Sequence, residues 1–298
     1  MIHKIANKTY NGHGLYRTDY NPLNLPPYTI RLKYKDGYEP TYTKGSAVQV
    51  SETPNIWDYT YNNDSWYRLF YTQATDDSLL EVMGANSTNV TSMESMFHYR
   101  TSLSSVNLFD TSKVKSTHGM FFHCWSLSSV PLYDLSKVEQ MSYMFSDCKS
   151  LTYVPHFDTH NVISMWQTFA STNISAVPHF DFSNVTALGS TFINCFRLSS
   201  VPLFDTHNVK TFAGMFSTCS SLTSIPLFDT SNAYDMYAMF YHCDYVKSGA
   251  LALYQQASTQ AVPPSSHSLC FANCGGKDQT GSAELAQIPT SWGGKLAE

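Results

Sequence analysis

The sequence predicts an α/β solenoid: a stack of seven strand–helix coils of ~24 residues, closed at each end by a cap. Three observations predict it. An Asp recurs at 110, 134, 158, 181, 205 and 229, with spacings of 24, 24, 23, 24 and 24 residues. A frame of Leu, Val, Pro and an aromatic precedes it, and one of Val, Met, Phe and Cys follows, as in Leu127 to Cys148. No single copy carries enough apolar surface to bury a core alone, so the copies must stack.

Residues 1–25, with their Gly, Asn and Pro, read as an extended N-terminal arm. Residues 26–78 read as a β-rich cap: Tyr28 to Tyr34 alternates, Asp36-Gly37 marks a turn, and Ile56 to Tyr61 alternates again. Asn63-Asp64 is placed to cap a short helix over 65–70. The repeats occupy 79–245. In each, Leu103, Val106 and Phe109 or their equivalents form a short inward-turning strand. Pro131, Pro155, Pro178, Pro202 or Pro226 closes it, because proline cannot donate to a ladder. The Asp is read as a helix cap, and Val114, Thr117, Met120, Phe121 and Cys124 recur at the offsets of one helical face. One strand and one helix per turn make the fold leucine-rich-repeat-like. Residues 246–298 read as a helical C-terminal cap, with helices expected at 249–257 and 284–288 and a break at Pro263-Pro264.

Only 14% of the residues are charged, the net charge is −5 and no basic run occurs, which argues against nucleic acid as a partner. Nothing approaches the length of an apolar membrane span, and no membrane insertion is expected. The first ten residues lack an apolar h-region, so we expect no secretory signal peptide. Five of the seven cysteines share one repeat column in which Arg100 and Thr172 also occur. They read as buried structural thiols. Cys270 and Cys274 have no second pair nearby, which disfavours zinc. His156 and His179, with His160 and His207 close by, read as surface positions and not as metal ligands. No nucleophile motif, HExxH or phosphate loop is present; no cofactor, metal or catalytic residue is expected, and the chain is read as not an enzyme.

The frame Val-Pro-Leu-Phe-Asp-Thr-Ser/His-x-Val, followed by Met-Phe-x-x-Cys, resembles the BspA-type leucine-rich repeats of bacterial surface and adhesin-like proteins. It also resembles gut-phage structural proteins carrying the same repeats. The flanks around Ile30 to Gly37, Asn55 to Asp58 and Glu284 to Gly294 look like the caps of the phage-associated members. The resemblance covers 79–245 and implies binding or adhesion without catalytic residues.

Columns that vary between repeats are expected to face outward. They carry the candidate binding residues Tyr99, Phe122, His123, Trp125, Tyr143, Trp166, Phe196, Tyr237, Tyr241 and His242. Outward aromatics are costly to leave wet and are typical of recognition surfaces, although some merely cover neighbouring coils. The expected function is a non-enzymatic interaction protein. The leading expectation is a phage virion component whose repeat face recognises a host-surface glycan or protein and whose arm and cap bind other virion proteins. The alternatives are a bacterial surface or secreted adhesin and, with no motif in its favour, a glycan-active enzyme.

Overall fold

The computed structural model describes residues 4–5, 8–11, 14–17, 23–37, 46–50, 55–61, 63–66, 77–276 and 282–294. Coil 1 spans 79–102, coil 2 103–126, coil 3 127–150 and coil 4 151–173. Coil 5 spans 174–197, coil 6 198–221 and coil 7 222–245. Among the described residues of these coils there is no helix. The stretch expected to be helical is a run of overlapping turns whose backbone is shared between coils.

Coil 2 shows how this works. The N–H groups of Thr117, Gly119, Phe121 and His123 donate to Gln140, Ser142, Met144 and Ser146 of coil 3, each at 2.9 Å. The intervening N–H groups of Met120, Phe122 and Cys124 close turns within the coil, onto Thr117, Gly119 and Phe121. Alternate donors therefore leave the coil, whereas a helix would keep every one. The geometry needs a positive φ at every fourth residue, here Gly119 (60°) and His123 (59°). The same two positions are left-handed in the other coils, for example Tyr143 and Asp147, Gln167 and Ser171, and Gly214 and Thr218. An L-residue held there costs ~1–2 kcal/mol, and each inter-coil hydrogen bond returns about 1 kcal/mol while satisfying a buried peptide group. Thr117, Met120, Phe121 and Cys124 still point inward. Their spacing suits a helical face and a turn ladder equally, so the pattern alone could not separate them.

The opposite side of each coil is tied differently. Strand β7 (Leu79–Asn86) pairs in parallel with β8 (Ser105–Val106), and Asn107 N–H extends the pairing to Val82 at 2.9 Å. From coil 3 to coil 7 proline occupies the position of Asn107, which removes that donor and reduces the ladder to isolated bridges such as Ala176 to Ser200. Single backbone pairs persist, such as Ser199 N–H to Ser175 at 3.2 Å and Thr223 N–H to Ser199 at 3.1 Å, and side chains add to them. Thr111, Thr159 and Thr206 donate to the carbonyls of Asp134, Asp181 and Asp229 in the next coil, at 2.8–2.9 Å. Asn184 and Asn208 reach back to His160 and Ser183, both at 2.7 Å. The repeated Asp closes an Asx turn onto the N–H two residues on, as Asp110 does to Ser112 at 2.9 Å. It caps no helix.

The core lies between these sides. Phe97, Phe121, Phe145, Phe169, Phe192, Phe216 and Phe240 stack in one fully buried column with ring centroids 5.3–5.7 Å apart. The column does not stop at coil 7. Phe271 stacks on Phe240 at 5.9 Å, and Met236, Ala238, Phe240 and His242 donate to Ser266, Ser268, Cys270 and Ala272. Residues 265–276 thus form an eighth half-coil inside the region read as a helical cap. Helix α1 (Ala250–Thr259) stands in for its missing strand half, and Glu284 of α2 (Ser282–Leu285) accepts from the N–H of Leu251 at its start. Trp292 then covers the open end, stacking on His267 at 4.2 Å.

At the N-terminal end, β4 (Thr29–Tyr34) runs antiparallel between β6 (Ile56–Thr60) and β7, with β5 (Ser46–Gln49) outermost. Strand β4 covers the edge that coil 1 would otherwise expose. The bridge ladder begins at Ser65, which pairs with Ser92, and Trp66 is buried beneath coil 1. Of the helix expected over 65–70, residues 67–70 lie outside the described residues. The region expected as an extended arm contains β1 (Lys4–Ile5), β2 (Lys8–Asn11) and β3 (Gly14–Arg17), paired antiparallel in that order.

Candidate interaction face and groove

The turn ladder decides where the variable side chains go. Inward positions are locked by the Met, Phe and Cys columns, and the residues between them project from the turn side of the solenoid. The structure sorts the ten sequence-predicted residues into two groups and one outlier.

Tyr99, Phe122, His123, Trp125 and Tyr143 gather on coils 1 to 3. Tyr99 stacks on His123 at 4.5 Å, Phe122 meets Tyr143 edge-on at 5.9 Å, and Trp125 donates to His123 Nδ1 at 3.3 Å. His98 and His118, which the sequence reading did not single out, complete the cluster against Tyr99 and Tyr143. Most of these rings spend their faces on one another. Burial pushes the His123 imidazole below the ordinary histidine value, against the pull of Asp147 3.7 Å away. Trp125 remains exposed, with Lys149 lying 4.9 Å over its ring.

Trp166, Tyr237 and Tyr241 are brought together on coils 4 to 7. They line a groove of about 480 Å³ with Ser190, Ile193, Ala213, Gly214, Ser217, Ala238 and Leu269. Its origin is visible in the repeat. The column that holds Trp166 in coil 4 and Tyr237 in coil 7 holds Gly189 and Ala213 in the two coils between. The small residues leave a depression and the aromatics wall it. Gly189 has a second role, since a Cβ built on it would overlap the Trp166 indole. The indole packs over that glycine. His242 stands beside this group, its ring against Tyr241 at 4.3 Å and bonded to Asn273 at 3.1 Å. Phe196 is 54% exposed and belongs to neither cluster. Sequence reasoning missed Leu269, which arrives from the unrecognised half-coil. It also missed the floor, whose signal was small residues in two successive coils.

A second cleft, of about 320 Å³, lies on the strand side among His156, His160, His179, Asp158, Asp181 and Asp205. Two of its three imidazoles, those of His156 and His160, are already engaged. His156 Nε2 donates to the His179 carbonyl at 2.8 Å, and His160 Nδ1 donates to Asp158 at 2.6 Å. Asn161 donates to His160 Nε2 at 2.8 Å, so both ring nitrogens of His160 are used. Among the described residues no group of three His, Cys, Asp or Glu side chains is placed to hold a metal ion.

The cysteines are all buried and unpaired as disulfides. Cys124, Cys148, Cys195, Cys219 and Cys243 each direct Sγ to the carbonyl of a Phe in the preceding coil, at 3.1–3.2 Å. Cys274 occupies the same column in the half-coil, which accounts for its spacing from Cys270. Burial raises the thiol pKa values, that of Cys195 to about 11. Such thiols are packing groups and not nucleophiles. No helix of the described residues is long and apolar enough to cross a membrane.

Among solved structures, the chain is similar to a leucine-rich repeat protein from Bacteroides ovatus, with 16% identity and a TM-score of 0.42 over 73% of this chain. It spans 55% of that protein, about half of its length. It is also similar to a leucine rich cell surface protein from Faecalibacterium prausnitzii A2-165, with 15% identity and a TM-score of 0.36, over 84% of this chain and 82% of that one. None of the curated proteins matches the sequence. The family model described as "Mycoplasma protein of unknown function, DUF285" matches residues 65–177 and 165–252. These segments begin at the first bridge of the ladder, run through coil 7 and cover more than half of the 298 residues. The chain belongs to this family.

Proposed function

We propose that the protein is a non-enzymatic interaction module of a bacterial surface or secreted protein, and that it engages a macromolecular partner through its turn side. One observation carries this reading. The turn side holds its backbone in a fixed ladder while presenting Trp125, Tyr143, Trp166 and Tyr237 in columns that elsewhere accept Lys, Gly, Ala or Ser. Aromatics that the frame does not require, on a backbone hydrogen-bonded from coil to coil, match the anatomy of binding hot spots. The repeat frame's resemblance to bacterial surface and adhesin-like proteins supports the surface position. The resemblance of the flanks to phage-associated caps supports a second reading, a virion protein attached through its N-terminal region.

Retention of the purified protein on whole bacterial cells tests the first point. The wild-type chain should pellet with cells, and a triple variant Trp125→Ser, Trp166→Ser, Tyr237→Ser should remain in the supernatant with its melting temperature little changed. Equal retention of both would reduce the protein to an architectural element. Antibody labelling of intact producing cells against particles pelleted from a lysate separates the surface and virion readings.

A further inference from the structure

Resting on that reading, we propose that the groove over coils 5 and 6 is a binding site for a neutral oligosaccharide. The walls are the Trp166 indole on one side and Tyr237, Tyr241 and Leu269 on the other. The backbones of Trp166 and Tyr237 stand three coil steps apart, about 14 Å at ~4.8 Å per step, and the indole seated over Gly189 narrows the gap between the walls. The volume falls in the ~300–1,000 Å³ range of small-ligand sites. Ring faces suit the C–H faces of pyranoses, and the phenol groups of Tyr237 and Tyr241 add polar tips. Ser190 and Ser217 line the floor between them.

Charge narrows the class. No Lys, Arg, Asp, Glu or His lines the groove, so nothing in it compensates a carboxylate, sulfate or ammonium group. A charged sugar would give up its hydration for no partner. The backbone narrows it further. The N–H groups of Ser190, Gly214 and Ala238 donate to the carbonyls of Ala213, Tyr237 and Ser268, so the floor offers no row of free amides to which a peptide could add as a strand. The aromatic cluster on coils 1 to 3 lacks this form, since its rings fill one another's faces. Trp166 is preorganised by its seat on Gly189, which lowers the cost of ordering it on binding.

The test is an array of immobilised neutral hexose oligosaccharides, with sialylated and uronic-acid oligosaccharides alongside, probed with the full chain and followed by calorimetry on the hits. We expect neutral oligosaccharides to bind. Trp166→Ser and Tyr237→Ser should each weaken binding about 30-fold or more, as hot-spot residues do. Gly189→Ala keeps every aromatic but unseats the indole, and should weaken binding as well. Tyr153→Ser, 63% exposed and outside the groove, serves as the control that should leave binding unchanged. Thermal melts of each variant separate lost binding from lost fold. Binding that survives the groove variants, or a preference for the charged sugars, overturns the proposal. So does retention on bacterial cells that protease treatment abolishes and periodate oxidation spares; the broader reading would then stand with a protein partner. Failure to bind both the array and cells would remove the two together.

Discussion

The two sides of each coil solve the same stacking problem by different means. On the turn side the backbone itself passes from coil to coil, with alternate N–H groups donated onward and the rest closing local turns. On the strand side proline has taken the donor position, and Thr and Asn side chains carry much of the connection. The difference shows which residues are free to vary. Where the backbone does the joining, side chains that point outward are released from structural work, and there Trp, Tyr, Ser and Gly alternate. Where side chains do much of the joining, Asp recurs from Asp110 to Asp229, and Thr and Asn fill four of the six positions in each of their columns. The candidate groove lies on the first kind of surface for that reason.

The largest effect expected from disturbing this arrangement is in the core that both sides share. Phe169 is fully buried, stacked at 5.7 Å on Phe145 and 5.6 Å on Phe192, with Phe180 at 5.8 Å. Phe169→Ala should cost ~3–5 kcal/mol in urea unfolding, as for other buried aromatics. The seven thiols give a parallel readout: silent to a thiol reagent in the native protein, they should all titrate as the variant unfolds. A loss below about 1 kcal/mol would mean that the column is not core.

A smaller effect separates the two sides. Lys210 is exposed, and its N–H donates to Thr186 across the turn-side ladder at 2.9 Å. Lys210→Pro deletes that donor without removing any buried side chain, and should cost about 1–3 kcal/mol, the range for stranding an acceptor. Equal stability of this variant and the wild type, by thermal melting, would show that the ladder is not what joins the coils.

Much of this was legible in the residues, and the failures have physical causes. The period, the Phe and Cys columns and the closing prolines follow from side-chain volume and missing donors, which the sequence states directly. The turn ladder does not, because a helical face and overlapping turns bury the same offsets. Its mark is positive φ, and Tyr143, Gln167, Ser171 and Thr218 adopt that conformation as Gly119 and Gly214 do. Residue type therefore hid the backbone. The half-coil was hidden by distance: helix α1 is inserted before it, so Phe271 falls outside the regular spacing and Cys270 and Cys274 looked like an isolated pair. In the candidate site, the bulky residues Trp166, Tyr237 and Tyr241 announced themselves. The groove between them is made by absences at Gly189, Ala213 and Gly214, and a list of conspicuous side chains passes over these.

The smallest effect is the sharpest test of the comparison, because two known terms oppose each other. Pro202 occupies in coil 6 the position from which Asn107 donates to Val82 in coil 2. Pro202→Ala restores an N–H beside the Val177 carbonyl of coil 5, and the bridge from Ala176 to Ser200 holds the two segments in register. A hydrogen bond formed there contributes about 1 kcal/mol. Losing proline also enlarges the unfolded ensemble, which costs ~0.4–1 kcal/mol. The net change should lie within about 0.5 kcal/mol of zero, although the same imino acid at Lys210 is expected to cost about 1–3 kcal/mol. Hydrogen exchange at the new amide distinguishes cancellation from simple tolerance. Protection of that amide in the Pro202→Ala variant would show that the strand-side ladder has room for one more rung, which proline leaves unfilled. A freely exchanging amide with unchanged stability would instead show that the pairing made by Ser199 N–H on the Ser175 carbonyl at 3.2 Å does not reach one step further along the coil.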